Sequence, residues 1–427
     1  MKILVIGSGG REHAISWALA KSSKPDLQLF CAPGNGGIAQ VAQCVPIDPL
    51  DIESMARFAE EKAMDLTVVG GEAPLAAGVV DLFESRGLVI SGASMAAARL
   101  ESSKAFAKQF MLRHKIPTAK FRVANDVDEA IGILRSGEFG SASGPVVVKA
   151  DGLAAGKGVI VANSHAEAEG AVKSLMIDGA AGIEAASRIV IEETLAGREV
   201  SLLLFTDGKD YVLMPPARDH KRVGENDTGP NTGGMGVVTD SFVLDEETQR
   251  QVVRDVVEPT LEGARKDGFE FRGVLFVGLM LTKDGPQVLE YNVRLGDPEA
   301  QAILVRLQSD LGDVFEATAK GRLGQTNVQW TDGASGCVVL AARGYPGRPE
   351  VGTRIEGLDK VRNHPDVQVF HAGTKRADDG DWITAGGRVL GVTAVGDDLG
   401  SALDRAYSAV DDITWEGMHY RRDIGRS

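Results

Sequence analysis

Two lysines flank a glycine-rich stretch that begins where an apolar run ends. Lys149 follows three valines, and Lys157 lies between Gly156 and Gly158. The pattern predicts a strand, a mobile glycine loop and a second strand, a hairpin that can close over phosphates while its lysines supply point charges. A P-loop is excluded, because Gly158 and a strand pattern follow Lys157 where Ser or Thr and a helix are required. An exposed hairpin with solvated lysines is the alternative.

A second candidate site lies on one predicted strand near residue 290. Glu290, Asn292 and Arg294 alternate along the sequence, so they share one face of a strand. Carboxylate and amide oxygens suit Mg²⁺, which proteins usually hold through one or two side chains plus nucleotide phosphates. The planar fork of Arg294 suits a carboxylate or a phosphate. A solvent-facing charged strand with a local ion pair is the alternative.

The first loop, Gly7–His13, joins a predicted buried strand to a helix. Such a junction binds anions through free backbone N–H groups and the helix dipole. The loop departs from a dinucleotide-binding fingerprint, because Glu12 stands where the third glycine belongs. A phosphate-sized ligand steered by Arg11 is therefore favoured over NAD, which disfavours a dehydrogenase. A tight turn whose charges face water is the alternative.

Two further polar segments have the composition of binding loops. Glu192 and Glu193 end an apolar run, and Glu199 follows shortly afterwards. Their carboxylates can bind ribose hydroxyls, and the backbone between them can bind an adenine edge. The segment 219–234, which begins Asp219-His220-Lys221, is too polar to pack as a core, so we expect it to bind a phosphate or substrate. Solvated surface charges are the alternative in both segments.

The elements that must position these residues follow a βαβα order at the start of the chain. This order predicts a parallel sheet with helices on both faces. Its strands are expected at 3–6, 27–30, 66–69 and 88–90, and its helices at 11–20, 51–62 and 74–86. A helix is expected at 102–114, a structureless loop at 215–240, a helix at 245–267 and a hairpin of strands 273–282 and 287–293. From about residue 326, short strands predict a smaller α+β domain.

Length and charge narrow the class of protein. A chain of 427 residues predicts about three domains. The net charge of −14 and the lack of a long basic run argue against nucleic-acid binding. Three isolated cysteines fit a reduced cytoplasm, and no apolar run approaches the length of a membrane span. We therefore expect a cytoplasmic protein without nucleic-acid or membrane partners.

Taken together, these segments resemble the ATP-grasp ligases and, more closely, the phosphoribosylamine–glycine ligase family of purine biosynthesis. The matching stretches span essentially the whole chain: 5–14, 72–75, 149–158, 219–236, 290–299 and 370–375. Departures from the family pattern, at Gly71, 91–94, 215–218 and Leu295, concern the substrate pocket. The resemblance implies an N-terminal parallel α/β domain at 1–101, an ATP-grasp domain at 102–325 with a mobile lid lobe at about 120–192, and a small C-terminal α+β domain at 326–427.

The reaction implied by the resemblance joins glycine to 5-phosphoribosylamine through glycyl phosphate, with ATP as substrate and Mg²⁺ or Mn²⁺ as metal. A monomer or weak oligomer is expected. The implied ATP-binding residues are Lys104, Lys149, Gly156, Lys157, Gly158, Glu192, Glu193, Leu195 and Glu199. The implied catalytic residues are Arg294, Lys221 and Asp219, and the metal ligands are Glu290 and Asn292. The implied substrate-binding residues are Gly9, Gly10, Arg11, Glu12, His13, Glu72 and Asp297. A different ATP-grasp ligase and a non-catalytic nucleotide-binding protein remain as alternatives.

Overall fold

The computed structural model describes residues 1–154 and 158–426, and it begins with a parallel sheet. The sheet has five strands in the order β3-β2-β1-β4-β5, which confirms the predicted α/β domain. Its elements are β1 Lys2–Gly7, α1 Gly10–Ala20, β2 Gln28–Pro33, β3 Gln43–Cys44, α2 Ile52–Lys62, β4 Leu66–Val69, α3 Glu72–Ala76, α4 Val79–Ser85 and β5 Ile90–Ser91. The single helix expected at 74–86 is wrong, because Gly78 adopts a φ of 87° and divides it into α3 and α4.

A second, four-stranded antiparallel sheet follows in the order β6-β9-β7-β8. The segment comprises α5 Met95–Ser102, α6 Lys104–Arg113, β6 Phe121–Ala124, α7 Val127–Arg135, β7 Val146–Ala150, β8 Val159–Ala162, α8 His165–Met176 and β9 Ile189–Glu193. Helix α6 is capped by Ser103, whose side chain accepts a hydrogen bond from the Phe106 N–H. Helices α7 and α8 and this sheet enclose a hydrophobic core of their own, so the sheet forms a separate lobe.

A nine-stranded sheet carries the rest of the predicted site. Along the chain, this segment comprises β10 Arg198–Thr206, β11 Tyr211–Leu213, β12 Ala217–Asp219, β13 Arg222–Gly224, β14 Thr228–Asn231, β15 Gly236–Thr239, α9 Glu246–Val252, a π-helical turn Val253–Val257, α10 Glu258–Lys266, β16 Gly273–Thr282 and β17 Gly285–Asn292. Strands β13 and β14 pair only with each other, as a two-stranded ribbon outside the large sheet. The expected structureless loop at 215–240 is wrong. Its polar residues form short strands, and β12 pairs with both β10 and β15, which satisfies its backbone groups.

The C-terminal segment extends the same large sheet, because β15 pairs with β18. It follows α11 Glu299–Leu304 and α12 Leu311–Ala319, and comprises β18 Ala334–Ala341, α13 Leu358–Val361, β19 Val367–His371, β20 Thr374–Arg376, β21 Trp382–Thr384, β22 Arg388–Gly396 and α14 Leu399–Val410. This segment confirms the expected α+β composition. Within residues 1–154 and 158–426, every helix is too short or too polar to cross a membrane.

Candidate active site

A cavity of about 960 Å³ lies where the parallel sheet, the lobe sheet and the large sheet meet. Most of the residues predicted from the sequence line this one cavity. They are Arg11, Glu72, Lys104, Lys149, Gly158, Glu192, Glu193, Leu195, Glu199, Asp219, Lys221, Glu290, Asn292, Arg294 and Asp297. Gly156 and Lys157 lie outside the described residues. The structure thus brings together side chains that are up to 286 positions apart in the sequence, Arg11 and Asp297.

Lysines concentrate at the end of the cavity formed by the lobe sheet. Lys149 points from β7 and lies 2.9 Å from the carboxylate of Glu192 on the adjacent strand β9. Lys104, at the start of α6, donates to the carbonyl oxygen of Gly152 over 3.3 Å. Burial lowers the pKa of Lys104, and nearby Glu290 opposes that shift. This end of the cavity is therefore suited to an anion such as a polyphosphate.

Glu290 and Asn292 lie on β17 and line the cavity, while the side chain of Tyr291 between them is buried, with its hydroxyl 2.6 Å from that of Thr260. Glu290 pairs with Gly278 of β16, where a Cβ atom would come within 3.3 Å of its side chain. Burial alone would raise the pKa of Glu290, but the ammonium groups of Lys221, Lys149 and Lys104 lower it below its ordinary value. The carboxylate is therefore ionised at neutral pH.

This donor set fits a hard divalent cation. Within the described part of the chain, no group of three or more His, Cys, Asp or Glu residues is arranged to hold a metal ion. Glu290 can offer a carboxylate oxygen and Asn292 an amide oxygen, a set that would leave the other coordination positions to nucleotide phosphates and water. That division is the usual one for Mg²⁺.

Lys221 crosses the cavity from the short strand region of 217–239. Its ammonium group contacts the Glu199 carboxylate and lies 3.9 Å from Glu290. Burial alone would lower the pKa of Lys221, but Glu199 and Glu290 raise it above its ordinary value. Lys221 therefore stays charged and acts here as a fixed cation, which cannot serve as a proton acceptor.

Two carboxyl groups, Asp219 and Glu299, lie behind Lys221. Burial raises the pKa of Asp219 well above its usual range, and Glu299 raises it further. Burial likewise raises the pKa of Glu299, whose carboxylate accepts a 3.3 Å hydrogen bond from Ser201. The Asp219 Oδ1 atom is buried without a hydrogen-bond partner in the part of the chain that the structure describes. The backbone of Gly234 packs beside this atom, so that a Cβ atom added at Gly234 would lie only 2.7 Å from it.

Replacing Gly234 with Ala is expected to destabilise the protein by about 2 kcal/mol or more. Gly234 has a φ of +107°, and an added Cβ would lie 2.5 Å from Pro298 Cδ and 2.7 Å from Asp219 Oδ1. The control is Gly268→Ala, since Gly268 has a similar φ of +83° but no atom within 4 Å of an added Cβ. Urea unfolding of both variants separates the cost of the backbone conformation from the cost of the steric contacts. Equal losses in the free energy of unfolding would contradict the close packing around Gly234.

Arg294 is held by carboxylates from two other elements. Its guanidinium lies 3.1 Å from Glu72 and 2.7 Å from Glu101, and it donates to the Asn292 side-chain oxygen over 3.1 Å. Burial alone would raise the pKa of Glu72, but Arg294 and Arg11 lower it to about 2. The parallel pairing of β1 with β4 brings Arg11 beside Glu72 at the carboxyl edge of the sheet.

The cavity residues that were not predicted from the sequence include three charged side chains: Lys108, Glu101 and Arg388. Arg388 enters from β22, lies 2.9 Å from Asp297 and donates to the Asp297 carbonyl oxygen over 2.7 Å. Lys108 lies one helical turn after Lys104, a spacing that could have revealed it. No local pattern indicates Glu101 or Arg388, because each reaches the cavity through distant packing.

Four residues predicted for the substrate site do not line the cavity: Gly9, Gly10, Glu12 and His13. The Glu12 carboxylate accepts a 2.5 Å hydrogen bond from the Gly9 N–H and so caps α1 itself. An added Cβ at Gly10 would lie 2.6 Å from the Gln301 side chain. His13 is buried against the C-terminal segment, where its Nδ1 accepts the His371 N–H over 2.8 Å. These residues position the loop that carries Arg11.

The His13 contact predicts acid sensitivity. Burial and, to a smaller extent, the neighbouring His371 lower the pKa of His13 to about 3, against 6.5 in the unfolded chain. Between these values the unfolded state binds more protons, so folding stability is complete above pH 6.5 and falls as the pH decreases towards 3. The slope approaches about 1.4 kcal/mol per pH unit. Urea unfolding at several pH values should show a smaller slope for His13→Asn, and an unchanged slope would contradict this origin.

Family comparisons match three successive segments. Residues 1–101 match the phosphoribosylglycinamide synthetase N domain, and residues 102–300 match the phosphoribosylglycinamide synthetase ATP-grasp (A) domain. Residues 335–427 match the phosphoribosylglycinamide synthetase C domain. The matched segments together cover most of the chain.

Similarity to individual proteins extends over the full length. The phosphoribosylamine–glycine ligase of Xanthomonas axonopodis pv. citri (strain 306) is 49% identical over 428 residues, covering 100% of this chain and 97% of the relative. The crystal structure of phosphoribosylamine–glycine ligase from Thermotoga maritima matches with a TM-score of 0.83 and 34% identity, covering 99% of this chain and 100% of that chain. The biotin carboxylase domain of Hydrogenobacter thermophilus 2-oxoglutarate carboxylase, in complex with MgADP, ADP and bicarbonate, has a TM-score of 0.71 at 18% identity, covering 98% and 91% of the two chains. That last likeness concerns the fold alone.

Proposed function

The chain belongs to the phosphoribosylglycinamide synthetase family, and we propose that its cavity binds ATP, glycine and 5-phosphoribosylamine together. The chain is an ATP-dependent carboxylate–amine ligase of purine biosynthesis, and its products are glycinamide ribonucleotide, ADP and phosphate. One observation supports the arrangement above all others: the ionised Glu290 faces Lys104, Lys149 and Lys221 across one cavity.

The nucleotide lies at the lysine-rich end in this proposal. Lys104 and Lys149 hold the phosphates, and the loop from Glu193 to Leu195 contacts the adenine together with Glu192. Glu199 binds the ribose, and Gly156, Lys157 and Gly158 contribute from the glycine loop. Phosphoryl transfer depends mainly on positioning and on stabilising charge, which fixed cations provide.

The reaction has two bond exchanges. A carboxylate oxygen of glycine bonds to the γ-phosphorus of ATP while the bond to the ADP oxygen breaks, giving glycyl phosphate. The nitrogen of phosphoribosylamine then bonds to the glycyl carbonyl carbon, inorganic phosphate leaves, and the nitrogen loses a proton. The neutral amine is already nucleophilic, so the first attack needs no dedicated base.

Glu290 and Asn292 would hold Mg²⁺ or Mn²⁺, and the metal, when bound, would neutralise phosphate charge and align the reacting groups. Arg294 and Asp297 face the glycine carboxylate and its acyl phosphate, and Lys221 and Asp219 act with Arg294 as the catalytic residues of this proposal. Phosphoribosylamine lies beside Arg11 and Glu72, on the loop that Gly9, Gly10, Glu12 and His13 position.

The four-stranded lobe, about residues 120–192, is the lid in this proposal. Asp151 joins it to α6, because its carboxylate accepts the Ser103 hydroxyl over 2.9 Å and the Ala105 N–H over 2.7 Å. Closure would exclude water from glycyl phosphate. We further propose a monomer or weak oligomer that acts in the cytoplasm on small molecules, without nucleic-acid or membrane partners.

The decisive experiment measures ADP release by the purified protein with Mg-ATP, glycine and freshly generated phosphoribosylamine. Each component is then omitted in turn, and the amide product is detected directly. Turnover that requires both glycine and phosphoribosylamine supports the proposal. ATP turnover with other partners alone would favour a different ATP-grasp ligase, and ATP binding without turnover would favour the non-catalytic alternative.

A further inference from the structure

Lys108 is a buried ammonium group that the reaction steps above do not use. Its side chain, on the cavity face of α6, is only 2% exposed. The ammonium lies 3.1 Å from Glu192 Oε2 and donates to the Thr118 hydroxyl oxygen over 2.7 Å. Burial lowers the pKa of Lys108 to about 8, against the opposing effect of Glu192. A buried cation is retained only where it is paired, so its partner indicates its role.

Only one of the two carboxylate oxygens of that partner, Glu192, is paired. Lys149 lies 2.9 Å from the same oxygen, Oε2, so two ammonium groups bind one carboxylate oxygen. The other oxygen, Oε1, is buried and has no hydrogen-bond partner in the described part of the chain, although Glu192 lines the cavity. A buried acceptor without a donor is suited to an N–H group that a ligand brings.

The two lysines also fix this carboxylate relative to the metal-binding strand. Lys149 donates to the Leu289 carbonyl oxygen over 3.2 Å. Lys108 reaches the same strand through Thr118, whose hydroxyl donates to the Val288 carbonyl oxygen over 2.6 Å. These carbonyls belong to the two residues before Glu290 on β17. The position of Glu192 is therefore set from the strand that carries the proposed metal ligands.

We propose that Lys108 is a positioning residue that holds Glu192 for the exocyclic amino group of adenine and thereby selects adenine over guanine nucleotides. Adenine presents an N–H donor at the position where guanine presents a carbonyl oxygen. With Oε2 of Glu192 held by two cations, the free oxygen Oε1 can accept a hydrogen bond from the amino group of adenine but repels the carbonyl oxygen of guanine. The inference rests on the nucleotide site of the proposed function.

The test compares binding of ADP and GDP by calorimetry, together with kcat and KM for ATP, in Lys108→Met, Lys108→Arg and Glu192→Gln. Lys108→Met should weaken ADP binding about tenfold and lower the ADP-to-GDP preference by a similar factor, with the KM for glycine unchanged. Lys108→Arg, which keeps the charge, should restore part of both. The matched control is Lys266→Met, because Lys266 pairs with Glu262 on an exposed helix face.

An unchanged ADP-to-GDP preference in folded Lys108→Met would overturn the proposal, even if the melting temperature falls. Should Lys108→Met fail to fold, Glu192→Gln and Lys108→Arg decide, because both must shift the same preference. The binding of ADP or GDP needs neither glycine nor phosphoribosylamine. A protein that binds ADP selectively but forms no glycinamide ribonucleotide would therefore refute the proposed reaction and leave this inference standing.

Discussion

Replacing Glu290 with Gln is expected to lower kcat by about a thousandfold. The change removes one negative charge and keeps the shape of the side chain. Because Lys221, Lys149 and Lys104 lower the pKa of Glu290, the wild-type carboxylate is ionised throughout the neutral range and is available to a cation. The amide of the variant leaves those three ammonium groups with one fewer counter-charge.

The measurement is steady-state ADP release at increasing Mg²⁺ and Mn²⁺ concentrations, with a thermal melt of each protein. The variant should need a higher metal concentration for half-maximal rate. Glu246→Gln is the matched control, because this glutamate is 92% exposed on α9 and does not line the cavity. Full metal-dependent turnover by Glu290→Gln would remove Glu290 from the metal site.

The sequence could predict Glu290 and Lys149 because each directly interrupts or ends an apolar strand pattern. A charged residue at such a position must face a cavity, a partner or solvent. Alternation then assigned Glu290, Asn292 and Arg294 to one face of a strand; β17 ends at Asn292, and all three residues line the same cavity. The parallel sheet could also be predicted from a local pattern, because buried strands and helices alternate along residues 2–91.

Other parts of the site depend on contacts that no local pattern records. Glu101 meets Arg294 across 193 positions, and Arg388 meets Asp297 across 91. The segment 215–240 was mistaken for a structureless loop because its composition is polar, whereas sheet pairing depends on backbone groups available to any residue. The π-helical turn at Val253–Val257 inside the helix predicted at 245–267 likewise has no sequence signal that we recognised.

The structure also refines what Arg294 can do. A guanidinium has five N–H donors. Three of them donate hydrogen bonds in this structure, to Glu72, to the Leu295 carbonyl oxygen and to Asn292. The Nη2 atom also forms an ion pair with Glu101 over 2.7 Å. A bidentate grip on the substrate carboxylate through Nη1 and Nη2 would therefore compete with the Glu101 ion pair.

Replacing Arg294 with Lys should lower kcat/KM for glycine about a hundredfold or more, because a single ammonium cannot replace the planar fork. Arg294→Met should also destabilise folding by about 3–5 kcal/mol, since it leaves the 7%-exposed Glu101 as a buried carboxylate without its cation. Kinetics with varied glycine and urea unfolding separate the two effects. The control is Arg250→Lys, whose 71%-exposed side chain pairs with Glu246.

Arg294→Lys distinguishes a purely structural role of Arg294 from a role in binding glycine. If Arg294 only held the fold together, Arg294→Lys would recover catalysis in proportion to the stability it recovers. If Arg294 binds substrate, Arg294→Lys should fold but have a low kcat/KM for glycine. Most of this loss should be a higher KM for glycine, while the KM for ATP stays near the wild-type value. Charge alone would then satisfy Glu72 and Glu101, but only the guanidinium could offer the substrate carboxylate two parallel donors.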